Sequence, residues 1–307
     1  MRFAGEFAAL GTAVCWAAGS NFFAAAGRRM GSAVLNRLRI TVAAVLLGTA
    51  LLVMRGSLWP TWATSTQVGL LALSGLIGFV FGDSYYFRSL VILGPGRAAL
   101  LASLAPLFTV LLAWPVLGEI PGPLALLGMA LTLSGIFWVL WERGRRESVH
   151  GGTHRPVADG SGSAAMGVVA GVLAAIGQAG GYVISGLALR TGLDPLSATV
   201  VRIAAAVVGV WALALAQGGA ARSFEALRDR RGTLFMVGGA VSGPFLGVTL
   251  SLTALKFIEA GVAASITAIY PLLTLLLASR FHGERLTPRT LGGTAIAVAG
   301  VVVLFLR

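Results

Sequence analysis

Residues 94–123 read GPGRAALLASLAPLFTVLLAWPVLGEIPGP, and residues 259–288 read EAGVAASITAIYPLLTLLLASRFHGERLTP. The two stretches align without a gap at an offset of 165 residues, and the alignment over residues 78–140 contains 19 identities in 63 residues. The identities include Pro106 with Pro271, a Thr, a Glu and six glycines. Apolar composition alone produces matches of Leu and Ala, but it does not align these other residue types at one offset. The chain therefore contains an internal repeat.

The composition excludes a soluble protein. Hydrophobic residues make up 57% of the chain and charged residues 11%, with a mean hydropathy of +0.88, whereas a soluble domain carries roughly 25% charged residues. The net charge of +12 does not indicate a nucleic-acid partner, because the basic residues are scattered singly between uncharged stretches and fit loops beside anionic lipid headgroups. The single cysteine, Cys15, excludes an internal disulfide and a cysteine-built metal site.

Ten uncharged stretches predict ten membrane helices, because a helix needs about 20 apolar residues to cross a bilayer. A cleaved signal peptide is disfavoured for the first stretch, which contains Trp16 and Asn21. The stretches are too long for barrel strands and lack a period of two. The predicted helices 1 to 10 are Phe7–Gly27, Arg39–Met54, Gly56–Leu93, Ala98–Gly118, Ile120–Trp141, Ser163–Leu189, Leu196–Gln217, Thr233–Leu255, Ala260–Ser279 and Thr290–Leu306.

The midpoint of the chain is its only long hydrophilic stretch. Residues 142–162 read ERGRRESVHGGTHRPVADGSG, and the glycines, serines and mixed charges predict a solvated linker. It divides the chain into a first five-helix repeat, residues 1–141, and a second, residues 163–307. Because five is odd, the second repeat enters the membrane from the opposite side. We therefore expect an all-α membrane protein of ten transmembrane helices in two inverted repeats, an architecture of secondary transporters.

The order of short motifs is duplicated as well. Helix 3 runs into Gly-Pro-Gly-Arg-Ala-Ala, helix 4 carries Pro106, and Leu-Gly-Glu and a proline precede a glycine-rich helix 5. The second half repeats this order with Glu-Ala-Gly-Val-Ala-Ala, Pro271, His-Gly-Glu, Pro288 and a glycine-rich helix 10. The chain in this respect resembles the drug/metabolite transporter superfamily, specifically its ten-helix members with two EamA-type domains. The resemblance implies a proton-coupled or passive carrier, often an exporter of amino acids, other metabolites or drugs.

Asp83 is the one acid that lies well inside an apolar stretch. A carboxylate at that depth costs several kcal/mol unless it is paired, protonated or facing water. The functional interpretation is a site for a proton or a cationic group, and Asp83 is our candidate for proton coupling. The structural alternative is an ion pair, with Arg88 or Arg97 as the partner.

Other polar or aromatic side chains lie at depths where lipid-facing residues are usually aliphatic, and such groups can line a substrate cavity. Tryptophan and tyrosine also anchor helices at membrane interfaces, so both interpretations stay open. With Asp83, the predicted cavity residues are Trp16, Asn21, Tyr86, Gln178, Tyr182 and Tyr270.

Two prolines and two arginines occupy matching places in the repeats. Pro106 and Pro271 lie within predicted helices, where each removes a backbone hydrogen bond, so they predict kinks that act as hinges or shape a cavity wall. Arg39 and Arg202 match at an offset of 163 residues. We interpret them as snorkelling to the interface, with binding of an anionic substrate group as the alternative.

The distribution of basic residues bears on orientation. The loops after helices 1, 3, 5, 7 and 9, with the nearby helix ends, hold 18 of the 23 basic residues, and the other side holds five. The positive-inside rule then places both termini outside the cytoplasm. The family resemblance implies the reverse.

No sequence feature points to a catalytic residue, a metal or a cofactor. A Walker sequence and a plausible Ser-His-Asp triad are absent, and the metal-like pair His150 and His154 lies in the glycine-rich linker. We therefore interpret the chain as a secondary transporter of a small organic solute in the inner or plasma membrane, as a monomer or homodimer. A membrane-embedded enzyme acting on a lipid would need at least two facing carboxylates, histidines or a metal cluster. A channel would usually show rings of like residues in an oligomer.

Overall fold

The computed structural model describes residues 3–93, 95–149, 163–274 and 287–306, and within these ranges every regular element is helical. Nine of the described helices are long and apolar enough to cross a membrane, and the shorter apolar helix Ala260–Thr274 takes the ninth place of the ten predicted. The helices are Ala4–Met30 (helix 1), Ser32–Arg55 (helix 2), Ser65–Gly75 with Leu76–Gly82 and Asp83–Leu93 (helix 3), Pro95–Ala102 with Ala105–Leu117 (helix 4), Pro123–Val149 (helix 5), Ala164–Leu189 (helix 6), Pro195–Ala216 (helix 7), Ala221–Ala226 (a loop helix), Arg230–Ala240 with Val241–Gly247 and Val248–Leu255 (helix 8), Ala260–Thr267 with its continuation to Thr274 (helix 9) and Pro288–Leu306 (helix 10).

Three predicted boundaries differ from the structure by more than three residues. Helix 2 begins at Ser32 rather than Arg39, because the polar residues Asn36 and Arg37 of its second turn are buried in the protein. Helix 3 begins at Ser65 rather than Gly56, because Thr64 and Gln67 form a reciprocal capping box that starts the helix there. Helix 5 continues through the first part of the predicted linker to Val149, and residues 150–162 lie outside the described residues.

The two repeats interlock through glycine contacts. Gly19 in helix 1 lies against Gly243 in helix 8, and Gly181 in helix 6 lies against Gly78 in helix 3. Helix 5 likewise contacts helix 10 at Gly135, where an added Cβ would lie 2.4 Å from the backbone nitrogen of Ala297. Small residues allow membrane helices to approach this closely. Each repeat is therefore packed mainly against the other.

Irregular helical segments recur at the 165-residue offset. Helices 3 and 8 each contain a seven-residue π-helical segment, Leu76–Gly82 and Val241–Gly247. Helices 4 and 9 are each interrupted by a two-residue turn, at residues 103–104 and 268–269. Pro106 and Pro271 come just after these turns and not in the middle of a continuous helix, so each predicted kink is a full interruption. A proline in the first turn of a helical segment sacrifices no intrahelical hydrogen bond.

The apolar core has two large parts. One cluster is formed by helices 1, 5, 9 and 10, and the other by helices 2, 3, 7 and 8 with the end of helix 6. Tyr182 in helix 6 packs against both clusters. Helix 6 therefore runs along the junction between them, and the polar groups described next lie on helices at this junction.

Candidate functional site

Asp83 is buried between helices that come from both repeats. It is 6% exposed and directly follows the π-helical segment of helix 3, a type of segment that frequently marks functional sites. One carboxylate oxygen forms a salt bridge with the guanidinium group of Arg39 in helix 2. The other accepts a hydrogen bond from the side-chain amide of Gln178 in helix 6, at 2.8 Å. Both oxygens therefore have a partner, one from each repeat.

Arg39 is held in place by the first repeat. Its Nε donates to the side-chain oxygen of Asn36 at 2.9 Å, and its guanidinium carbon lies 4.9 Å from the ring centre of Phe23 and 6.0 Å from that of Phe87. Cation–π contacts of this kind stabilise a desolvated arginine. Arg39 is 5% exposed, so the expectation that it snorkels to the interface is wrong. The two-turn extension of helix 2 places it well inside the protein.

The prediction that Asp83 pairs with Arg88 is wrong. Arg88 is exposed and points to helix 6, where its Nη2 lies 2.9 Å from the sulfur of Met166. The side chain of Arg97 lies outside the described residues. Asp83 is instead paired with Arg39, 44 residues earlier in the chain. Sequence proximity favoured the wrong arginine, because a helix neighbour five residues away lies on a different face from Asp83.

Two of the predicted tyrosines lie near Asp83. Tyr86 is one turn later in helix 3, on the same face, and its phenol is close enough to interact electrostatically with Asp83 and Arg39. Tyr270 in helix 9 is close enough to Tyr86 and Asp83 for a charge on either of them to act on its phenol. Tyr270 is the first helical residue after the interruption at residues 268–269. The interruption in helix 9 therefore helps to set where this phenol lies.

The other predicted cavity residues lie outside this cluster. Trp16 in helix 1 packs against the glycines of the second π-helical segment, Gly243 and Gly247. The side-chain amide of Asn21 donates to the backbone oxygen of Ala17 at 2.9 Å, within its own helix. The structure therefore groups Asp83, Gln178, Tyr86 and Tyr270, and it leaves Trp16 and Asn21 outside this group.

Tyr182 belongs to a second polar group, around Arg202. Its hydroxyl donates to the backbone oxygen of Ser251 at 3.1 Å, and it is close enough to Arg202 to interact electrostatically. Arg202 is 5% exposed, and its guanidinium carbon lies 5.1 Å from the ring centre of Phe79. Arg202 thus does not snorkel either, so that expectation is wrong for both arginines.

The residues that sequence reasoning missed are those that hold Arg39. Asn36 precedes Arg39 by three residues in helix 2, a spacing that brings two helical side chains together. Phe23 in helix 1 and Phe87 in helix 3 have no such spacing to Arg39. One signal was present in the sequence: Arg39 and Arg202 are the eighth residues of helices that align at the same offset. That match indicated a shared structural position. It did not indicate a partner.

The described residues contain no group of three or more His, Cys, Asp or Glu arranged to hold a metal.

The fold and this buried junction define a multi-pass integral membrane protein built from two interlocked five-helix repeats. The model of the EamA-like transporter family matches residues 3–141 and 165–306, which is nearly the whole chain. The chain therefore belongs to the EamA-like transporter family, and is a membrane transporter of the drug/metabolite superfamily with two EamA domains.

A solved structure has the same fold. It is described only as "Crystal structure of protein" and superposes with a TM-score of 0.70 over 100% of this chain and 98% of its own, at 19% sequence identity. At that identity the likeness concerns the fold alone. No curated protein sequence matches the chain.

Proposed function

We propose that the protein is a secondary transporter that moves a small organic solute across the inner cell membrane by alternating access, with Asp83 exchanging the coupled proton. Export of an amino acid, another metabolite or a drug is the activity that the family resemblance implies. The observation that carries the proposal is the position of Asp83, a buried acid whose two oxygens are bound by different repeats. Inverted repeats place the transported ligand where the two halves meet.

The chemistry follows from the partners of Asp83. While the carboxylate is charged, it binds Arg39 in helix 2 and Gln178 in helix 6. A proton on Asp83 removes the charge that holds Arg39, so protonation weakens the link between helices 2 and 3. Two inverted halves have two near-equivalent packings, and a group that binds its neighbours differently in each proton state can bias the choice between them.

The test is Asp83→Asn in proteoliposomes. Purified protein would be assayed for uptake or release of a panel of amino acids and other small solutes, with and without a pH gradient. We expect Asp83→Asn to insert and fold but to lose any stimulation by the gradient, because an amide does not titrate. Asp229→Asn is the matched control, since Asp229 is also an aspartate bound to an arginine, Arg29, but lies at the surface. Normal gradient-driven transport by Asp83→Asn would place the coupling group elsewhere.

If Asp83→Asn does not fold, a second variant is needed to separate a structural role of Asp83 from a role in proton coupling. Removal of one member of a buried ion pair costs about 3–5 kcal/mol, because the other charge stays buried and unpaired. The double variant Asp83→Asn with Arg39→Gln removes both charges and should recover the midpoint of thermal unfolding. If it also recovers gradient-driven transport, Asp83 has only a structural role.

A further inference from the structure

Arg202 is a buried cation that the described residues leave without an acid. Its Nε is buried and makes no hydrogen bond with any described residue, and Arg202 is absent from the ion pairs among the described residues. Among the described residues, Tyr182 is the one titratable group close enough to Arg202 to interact with it electrostatically. Arginine inside a membrane protein is normally paired or faces water, because an isolated charge there is costly.

The corresponding position in the first repeat shows what is missing. Arg39 and Arg202 occupy the same place in helices 2 and 7, and Arg39 is neutralised by Asp83. The residue that matches Asp83 at the 165-residue offset is Val248, which is buried and apolar. The second repeat has thus kept the arginine without an acid at the matching position. Arg202 instead lies against the π-helical segment of helix 3, with Nη2 close to Gly78.

The surroundings of Arg202 favour a carboxylate as its partner. Phe79 interacts with the guanidinium group through a cation–π contact, which leaves the N–H donors at the edge of that group to be satisfied by an acceptor in its plane. A carboxylate matches this edge with two parallel hydrogen bonds. A single cation balances one negative charge, so a phosphate dianion would keep an uncompensated charge in an apolar site. Gly78 presents no side chain on this side. The rings of Phe79 and Tyr182 lie near Arg202 and favour an apolar body beside the carboxylate.

We propose that Arg202 binds the carboxylate of the transported solute, which is therefore a small organic acid or an amino acid with an apolar portion. This inference rests on the proposed transport function, since it names the substrate class of that transporter. Arg202 and Asp83 then have separate tasks: Arg202 recognises the negative charge of the cargo, and Asp83 exchanges the proton.

Binding can be tested without transport. The midpoint of thermal unfolding would be measured on purified protein in detergent with sodium benzoate, with benzamide as the uncharged analogue and with sodium phosphate as an inorganic anion. We expect benzoate to raise the midpoint of the wild-type protein, and benzamide and phosphate to have little effect. Arg202→Met should abolish the benzoate shift. Its midpoint without additive should equal or exceed that of the wild type, because the substitution removes a desolvated charge and keeps an apolar stem.

Two further variants control for folding. Arg37→Gln removes another buried arginine, which donates to Ser223 and to the backbone oxygen of Gly219, and it should lower the midpoint but keep the benzoate shift. Arg202→Lys keeps the charge without the planar fork and should lose most of the shift, which decides the matter if Arg202→Met does not fold. The proposal is overturned if wild type shows no benzoate shift, if phosphate matches benzoate, or if Arg202→Met or Arg202→Lys retains the full shift. Asp83→Asn should keep the benzoate shift, so a failure of proton coupling and a failure of carboxylate binding give different results.

Discussion

The carboxylate of Asp194, which lies outside the membrane spans, caps the start of helix 7. It precedes helix 7 as the N-cap, and its carboxylate accepts hydrogen bonds from the backbone nitrogen of Ser197 at 3.0 Å and from the hydroxyl of the same residue at 2.7 Å. Partial burial raises the pKa of the Asp194 carboxyl, but the hydrogen bonds from Ser197 and the charge of Arg55 outweigh that effect, so the pKa lies below its usual value. The charged form is therefore the one that stabilises the start of helix 7.

The pH dependence of this cap follows from the sign of the shift. Because the folded pKa is lowered, the stabilisation is fully present above the unfolded value of about 3.9 and is lost as the pH falls through the folded value. Asp194→Ala should lower the free energy of unfolding by about 1 kcal/mol at pH 7, and its difference from wild type should shrink below about pH 4. Asp194→Asn keeps the cap without the charge, so its stability should vary less with pH. A constant difference between wild type and Asp194→Ala down to pH 2 would contradict this account.

The sequence predicted part of the site at this scale. Asp83 was identifiable because one acid in an apolar stretch is costly, and Tyr86 and Gln178 because they are polar or aromatic at membrane depth. Arg39 was not identifiable as its partner, because the pairing depends on how helix 2 packs against helix 3. For the same reason, the sequence could not show that Tyr182 lies near Arg202 rather than in the Asp83 cluster. Residue type indicates that a group needs a partner, and only the packing of the helices selects it.

At the scale of helices, Gly75 allows helix 3 to approach helix 7 closely. A Cβ added at Gly75 would lie 2.2 Å from the backbone oxygen of Arg202, and that atom cannot move aside as a flexible side-chain end can. Gly69, two turns earlier in helix 3, is exposed and would place its Cβ in open space. The two positions form a matched pair within a single helix.

Gly75→Ala should therefore destabilise the protein by about 3 kcal/mol, the upper part of the usual range for overpacking. Gly69→Ala should be neutral or stabilise by roughly 0.5–1 kcal/mol, because alanine is the better helix former. Denaturant or thermal unfolding in detergent measures both changes. Equal effects of the two substitutions would show that helices 3 and 7 do not approach as closely as described here.

The existence of the membrane helices could be predicted more fully than their shapes. Hydropathy identified all ten, but it extended helix 3 back to Gly56, since the loop before Ser65 is uncharged and contains two tryptophans. It also starts helix 2 late, because Arg37 and Arg39 interrupt the apolar stretch. Burial of a paired charge inside a helix is a tertiary effect that no local hydropathy window can detect. The interruptions at residues 103–104 and 268–269 were predicted only as kinks at the neighbouring prolines.

At the scale of the whole molecule, the helix bounds refine the count of basic residues. Arg202 is the eighth residue of helix 7 and lies nearer the side with few basic residues. It therefore no longer counts among the 18 basic residues assigned to the loops after the odd-numbered helices. The imbalance toward the loops after the odd-numbered helices remains large. The positive-inside rule therefore still places those loops in the cytoplasm and both termini outside it.

A reporter fused after Arg307 tests this orientation. Alkaline phosphatase, which is active outside the cytoplasm, should be active at this position, and green fluorescent protein should stay dark when exported unfolded. If the green fluorescent protein fusion is fluorescent and the phosphatase fusion is inactive, the C-terminus lies in the cytoplasm, which is the orientation that the family resemblance implies. The interlocked repeats and the Asp83–Arg39 pair would be unaffected by that result.

The interlocking of the repeats also has a consequence for biogenesis. Chains are synthesised from the N-terminus at roughly 5–20 residues per second, and Gln178 follows Asp83 by 95 residues, so helices 1 to 5 wait several seconds for their packing partners. During that interval Arg39, which is made 44 residues before Asp83, can already neutralise the acid inside the nascent first half. Arg202 emerges later, and no acid of the second half matches it at the position of Val248. The buried acid of the first half is thus already paired when the second half is made, and the unpaired charge of Arg202 enters the bilayer only after helix 3, against which it packs, is present.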